Sequence, residues 1–252
     1  MELMQTSPFL TYVGHATLLI EMDGLRILTD PLLRHHVGGL IRRQTPLPDQ
    51  RFHHVDLVLI SHGHLDHLDA PSLRLLSRTT HLVAPRGSAR FLHRLGFYHI
   101  TEMEAGESIT VGAIQFTATF ALHNSSRWPF RPKTACLGYL LRGQRCIYFA
   151  GDTDLFPGME HMASDLDLAL LPVWGWGPTL GSGHMDPRRA AEALALLQPC
   201  AAVPIHWGTF YPVGMRYWRP HLLLEPPRRF AHYARQVAPA VQVHIVQPGH
   251  SL

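Results

Sequence analysis

The chain has 252 residues, 46% of them hydrophobic and 16% charged, with a formal net charge of +3. That length suits one α/β domain over residues 1–252, able to bury roughly 70–75% of its unfolded surface without staples. The weak, scattered positive charge excludes a dense nucleic-acid-binding stripe, and no run approaches the ~20 apolar residues that cross a bilayer.

Residues 1–9 lack the charged-then-apolar pattern of a secretory signal, so a cytoplasmic location is expected. Thr17–Met22 and Leu25–Thr29 are apolar runs flanking Asp23-Gly24, a strong hairpin signal. Residues 31–54 are rich in Pro, Arg and His, show little periodicity, and read as a functional loop or lid. Residues 55–60 are a continuous apolar run of buried-strand type. Asp69 is placed to cap a helix over 70–77, with Pro71 tolerated in its first turn. A strand over 82–84, a helix over 88–95 and strand-like segments within 109–120 follow.

In the second half, 137–141 and 146–150 flank Arg142-Gly143-Gln144-Arg145 as another hairpin. Residues 166–171 and Ala201–Ile205 read as strands, and between them Asp186 is placed to cap an Ala- and Leu-rich helix, Pro187–Leu197. A helix over 228–236 and a strand over 241–246 end the chain. Two halves of strands followed by helices, with no linker, point to the α/β class and a four-layer αβ/βα sandwich. Cys136, Cys146 and Cys200 form no CxxC pair and read as reduced, small apolar residues.

The densest chemistry is the run Ser61-His62-Gly63-His64-Leu65-Asp66-His67, directly after the strand at 55–60. Four ligand-capable side chains in six positions fit neither a strand nor a helix period. A tight turn at a strand end gathers them, and Gly63 permits backbone angles closed to other residues. His62 and His64 could reach one metal ion while Asp66 and His67 reach a second; mixed imidazole and carboxylate donors suit zinc, manganese or iron(II). A surface loop merely rich in His and Asp is the bland alternative, outweighed by the completeness of the run. His123 after 116–122, Asp152 after 146–150 and His206 after Ala201–Ile205 each end an apolar run, where an open α/β fold gathers its site. Singly each also reads as a cap or turn residue; together they complete a coordination set.

In motif and order these residues resemble the metallo-β-lactamase superfamily. Gly14-His15-Ala16-Thr17, Leu28-Thr29-Asp30-Pro31, Ala150-Gly151-Asp152-Thr153, His184-Met185-Asp186-Pro187 and Pro204-Ile205-His206-Trp207-Gly208-Thr209 are similar to the branch containing N-acyl-phosphatidylethanolamine-hydrolysing phospholipase D and L-ascorbate phosphate lactonase. The resemblance implies the four-layer metallo-β-lactamase fold and two divalent ions, zinc ahead of manganese or iron. His62, His64 and His123 would hold the first; Asp66, His67 and His206 the second; Asp152 would bridge them. A hydroxide shared by the ions would attack phosphorus or a carbonyl carbon, with Asp66 or a metal-bound water supplying the leaving-group proton; His184 could contact the substrate or donate a proton.

Other residues carry two readings each. Asp30 either fixes the tautomer of a ligand His or caps a turn beside Pro31. His15 and His184 either line the pocket or are hydrogen-bonded structural residues. Arg127 either grips phosphate or carboxylate with its planar fork or is an exposed loop residue. Trp174, Trp176, Trp207, Tyr211, Tyr217 and Trp218 form an aromatic rim for an acyl substrate or simply pack loops onto the body. The expected substrate is a small or lipid-like molecule, either a phosphodiester or a lactone or ester. A non-catalytic metal-binding scaffold or sensor is the alternative, and a nuclease a weaker one. The redox branch of the superfamily carries Glu where this chain has His64, and only 153–205 separate Asp152 from His206, leaving no room for an RNA-holding arm. No nucleic-acid partner and no stable membrane insertion are expected, and a homo-oligomer remains open.

Overall fold

Period-two alternation in the opening strands gives one sheet two apolar faces. Leu18, Ile20, Leu57, Leu59 and Val83 join one buried cluster, whereas Leu19, Val58, Ile60, Leu82 and Ala84 join another. A computed structural model describes residues 9–38, 41–46, 50–124, 134–162, 164–175 and 177–252. In chain order the first half contains β1 (Leu10–Gly14), β2 (Thr17–Met22), β3 (Leu25–Thr29), β4 (His36–Val37), β5 (Ile41–Arg43), β6 (Leu57–Leu59), α1 (Ala70–Leu73), β7 (His81–Pro85), α2 (Ala89–Arg94) and β8 (Ile100–Met103). The second contains β9 (Ser108–Val111), β10 (Ile114–Phe120), β11 (Leu137–Arg142), β12 (Cys146–Phe149), β13 (Leu168–Pro172), α3 (Pro187–Leu197), β14 (Ala201–Ile205), β15 (Phe210–Pro212), α4 (Met215–Trp218), α5 (His221–Leu224), α6 (Pro226–Val237), β16 (Gln242–Val243) and β17 (His250–Ser251).

Among the described residues the strands form two seven-stranded sheets, β17-β1-β2-β3-β6-β7-β8 and β16-β14-β13-β12-β11-β10-β9, with a small sheet β15-β5-β4. Each large sheet is antiparallel in one part and parallel in the other: β3, β6, β7 and β8 run parallel, as do β12, β13, β14 and β16. Parallel strands need both faces covered. One cluster accordingly spans both sheets, from Tyr12 and Ile20 to Phe116, Tyr139 and Phe149. Leu73 and Leu92 of the first-half helices cover the outer face of the first sheet, and Ala190, Leu194 and Phe230 of α3 and α6 cover the second. This is the four-layer αβ/βα sandwich of the metallo-β-lactamase type.

Asp69 and Asp186 cap as expected. Asp69 accepts from Ser72 N, and Asp186 from Arg188 N and Arg189 N. The helix expected over 70–77 stops at Leu73, because Leu75 N and Leu76 N bond three residues back, to Ser72 and Leu73, and Ser77 Oγ turns to Thr79. The strand expected over 241–246 shrinks to Gln242–Val243; the chain then crosses to the first sheet, where β17 pairs with β1. Segment 31–54 is more regular than expected. Its described part holds β4, β5 and a 3-10 turn, Gln50–His53, and β5 pairs with β15, while Leu32, Val37 and Ile41 pack with Phe210 and Leu65. The segment is thus tied to the body next to the His cluster.

Candidate metal centre

The two sheets meet at Ser61. Leu137 N, at the start of β11, donates to Ser61 O, and Tyr139 Oη donates to Ile60 O. The cluster 62–67 leaves the end of β6 at this seam and doubles back, His67 N and Leu68 N both bonding to His64 O. Asp152 follows β12, His206 follows β14 and His123 follows β10, so ends of strands from both sheets deliver the seven expected ligands to one place. His15, Asp30 and His206 all have positive φ, 59°, 32° and 64°. Backbone held there in non-glycine residues costs on the order of 1–3 kcal/mol each and persists only where the surroundings enforce it.

The ligand atoms converge in two groups. In the first, His64 Nδ1 lies 2.9 Å from His62 Nε2 and 3.2 Å from His123 Nε2. In the second, His67 Nε2 lies 3.3 Å from His206 Nε2 and 3.6 Å from Asp66 Oδ2. Asp152 sits between: Oδ2 is 3.2 Å from His67 Nε2 and 4.0 Å from His123 Nε2, and Oδ1 is 3.1 Å from His206 Nε2. Ligands about 2.0–2.1 Å from a tetrahedral ion stand roughly this far apart.

The imidazole tautomers decide whether these groups fit cations or simply bond one another. His123 Nδ1–H donates to Gly183 O at 2.7 Å, and His206 Nδ1–H to Trp174 O at 2.8 Å. His67 Nδ1–H donates to Asp30 Oδ2 at 2.7 Å. Ser61 Oγ spends its proton on Asp30 Oδ2 at 2.6 Å and therefore accepts from His62 Nδ1–H at 2.9 Å. Four rings thus turn Nε2 inward, His62, His123 and His206 with a lone pair there. Asp152 Oδ1 is buried and accepts no hydrogen bond, despite the nearby His206. Clustered lone pairs and an orphaned carboxylate oxygen are repulsive by themselves; a cation among them removes the penalty. The donor set therefore fits divalent metal.

Comparison with known proteins points to the same class of protein. The profile of the Beta-lactamase superfamily domain matches residues 25–207. The chain belongs to the metallo-β-lactamase superfamily. A UPF0173 metal-dependent hydrolase of Methanopyrus kandleri is 31% identical over 250 residues, covering 96% of this chain and 98% of the relative, which places the chain in that hydrolase family. Among solved structures, a metallo hydrolase of Ignicoccus hospitalis is similar at 26% identity and a TM-score of 0.72, covering 96% of each chain. An isothiocyanate hydrolase from Delia radicum gut bacteria shares the fold at 19% identity and a TM-score of 0.72, covering 96% of this chain and 97% of that one. The branch suggested by the supporting motifs is not among the relationships these likenesses establish.

In this metal-dependent hydrolase the electrostatics suit cation binding. Burial holds His62 and His123 below the usual imidazole range and pulls His64 down to about 4 and His206 to about 3. Burial alone would raise Asp66 and Asp152, but His67 beside Asp66, and His206 and His67 beside Asp152, hold both carboxylates well below their ordinary value. Neutral rings and ionised acids are the protonation states a metal requires. His67 differs: burial opposes its charge, yet Asp152, Asp66 and Asp30 outweigh it and raise the ring well above the usual range. The carboxylates thus draw positive charge to the spot, and a dication would supply it instead.

Asp30 also accepts Ser61 N–H at 2.7 Å, so both its oxygens bond into the cluster. His15 lies against Asp66, Nε2 to Oδ2 2.9 Å, and His184 Nε2 lies 3.4 Å from Asp152 Oδ2. His184 opens onto a cavity of about 120 Å³ that also reaches His64, Asp66, Asp152 and His206, its wall completed by Leu180 and glycines of 175–181. No described residue of 31–54 lines this cavity. Arg127 and Trp176 lie outside the described residues. Of the two readings of the aromatics, packing holds for Trp207 and Tyr211, 2% and 1% exposed, while Tyr217 and Trp218, 87% and 84% exposed, line no part of the cavity. Ser61 and the carbonyls of Trp174, Gly181 and Gly183 were given no role from sequence. A backbone acceptor has no side-chain signature, so only Ser61's place inside the cluster could have pointed to it.

Proposed function

We propose that the protein is a binuclear hydrolase of a carboxylic ester or lactone, with a phosphodiester as the second reading. His62, His64 and His123 would hold one ion, Asp66, His67 and His206 the other, and Asp152 would join them. The carrying observation is the convergence of inward Nε2 lone pairs on Asp152 at the floor of an open cavity. That opening supports turnover over a scaffold or sensor role, because a substrate can approach His64, Asp66, Asp152 and His206 directly. Imidazole and carboxylate donors favour zinc, with manganese or iron also compatible.

When bound, such ions act as Lewis acids and bring the pKa of water close to neutral. The protein supplies the rest. Asp152 and Asp66 offset the ions' charge. His184, with Nδ1–H fixed on Gly181 O at 3.1 Å, turns Nε2 to the cavity, where it can hold or pass the leaving-group proton. Leu180 and the glycine wall give the substrate apolar contact and close backbone approach. Among the described residues lining the cavity none is Arg or Lys, which supports an uncharged ester ahead of a phosphodiester. Arg127 is the cation that the second reading needs.

The test is turnover of a simple lactone and of bis(p-nitrophenyl) phosphate by zinc-loaded protein, before and after chelation. Expected are chelator-sensitive hydrolysis, faster on the lactone, and a loss of about a hundredfold or more in Asp152→Asn. Hydrolysis that survives metal removal would contradict the reading.

A further inference from the structure

His15 stands apart from the other histidines of the centre. It follows Gly14, whose φ is +130°, and has φ +59° itself. A Cβ on Gly14 would lie 2.6 Å from Thr209 Oγ1, so the chain passes tightly against the segment after His206. Two backbone bonds clamp it there: His15 N–H donates to Thr209 Oγ1 at 2.8 Å, and His15 O accepts from His206 N at 2.7 Å. The ring is 1% exposed. Its centroid lies 3.9 Å from that of His206, and Phe210 meets it edge-on at 5.7 Å.

Geometry would allow His15 to join Asp66, His67 and His206 as a fourth ligand, since their donor atoms cluster. The hydrogen bonding argues otherwise. The rings of His62, His67, His123 and His206 place Nδ1–H on a protein acceptor and turn Nε2 inward. In His15 it is Nε2, not Nδ1, that meets a protein partner, the carboxylate oxygen Asp66 Oδ2 at 2.9 Å. The Nε2 that could ligate is therefore occupied as a donor.

We propose that His15 is a positioning residue: it holds the carboxylate of Asp66 by hydrogen bond and the ring of His206 by close tilted contact, and so preforms the second metal subsite without ligating it. This rests on the binuclear reading above. Removing it would take from Asp66 its hydrogen bond to His15 and from His206 one close ring neighbour, leaving the stacked His67, whereas His62, His64 and His123 would keep their partners.

The experiment is a calorimetric titration of metal-free protein with zinc alone, for wild type, His15→Ala, His15→Gln and Thr209→Val. Expected for wild type are two binding phases. In His15→Ala the weaker or later phase should lose ten- to a hundredfold in affinity while the other holds. His15→Gln, which keeps an N–H donor, should recover part of the loss. Thr209→Val leaves the ring in place and removes only the hydroxyl anchor, so it should show a smaller loss in the same phase and keeps the test usable if His15→Ala folds poorly. Equal loss in the Ala and Gln variants would make His15 a ligand and overturn the proposal, as would unchanged affinity or an equal loss in both phases. A single phase in wild type would instead overturn the binuclear reading itself, and this inference with it.

Discussion

Asp30 organises the centre without facing the cavity. Its two oxygens accept from Ser61 N–H, Ser61 Oγ–H and His67 Nδ1–H, so it sets the tautomer of His67 directly and that of His62 through Ser61. Asp30→Asn replaces one acceptor oxygen by a donor and is expected to weaken zinc binding by about ten- to a hundredfold, read by competition with a chelating dye. Unchanged affinity would remove Asp30 from the design. The residues that converge were legible, since His and Asp at strand ends carry their chemistry in their names. What orients them was only partly legible: Asp30 stands in a motif, but the acceptors for His123 and His206 are the carbonyls of Gly183 and Trp174, which any residue could provide. Trp207 and Tyr211 carried two readings for a related reason. An aromatic near a site reads equally as a rim or as packing until its hydrogen bonds, Trp207 Nε1 to Pro204 O and Tyr211 Oη to Arg219 O, show it committed inward.

At the scale of elements, turns and caps separate stability from metal binding. Asp186 caps α3 through Arg188 N and Arg189 N and bonds to none of the expected ligands, so Asp186→Ala is expected to cost about 0.5–2 kcal/mol in urea unfolding while zinc affinity stays constant. A change in affinity would show that α3 is coupled to the centre. Gly151 should behave in the opposite way. Its φ is +59°, and a Cβ there would lie 2.7 Å from Ser61 Cβ and 3.0 Å from Leu137 O, at the seam beneath the centre. Gly151→Ala is expected to destabilise by about 1–3 kcal/mol and to weaken metal binding by displacing Asp152. Wild-type affinity with wild-type stability would contradict this. Hairpins at Asp23-Gly24 and Gly143-Gln144 and the capped helix α3 were legible because turn chemistry and periodicity are local. β1, β15 and β17 were not, because five residues or fewer leave little pattern and their partners lie up to 240 positions away.

Across the whole molecule, the same burial that keeps the ligands neutral makes the metal-free fold sensitive to acid. His64 and His81 are lowered to about 4 and His206 to about 3 by burial, while the unfolded chain takes up these protons near 6.5. Their contribution is therefore fully present above about 6.5 and is lost as pH falls toward 4. His67, raised by its carboxylates, works in the other direction, but its contribution is complete below 6.5 and adds no slope in this window. The urea midpoint of chelated protein is expected to fall steadily between pH 6.5 and 4, and a flat or rising midpoint would contradict the burial of neutral histidines. The overall architecture was legible from the order of strands and helices, since each half must cover a sheet on both faces. Among the described residues no helix is long and apolar enough to cross a membrane.

The most direct measurement is the zinc content of the purified chain after loading and gel filtration, by elemental analysis beside Asp152→Asn. About two ions per chain in wild type, with a clear loss in the variant, is the expected result. A chain that retains no ion under any loading condition, or a variant that keeps both, would contradict a centre built around Asp152.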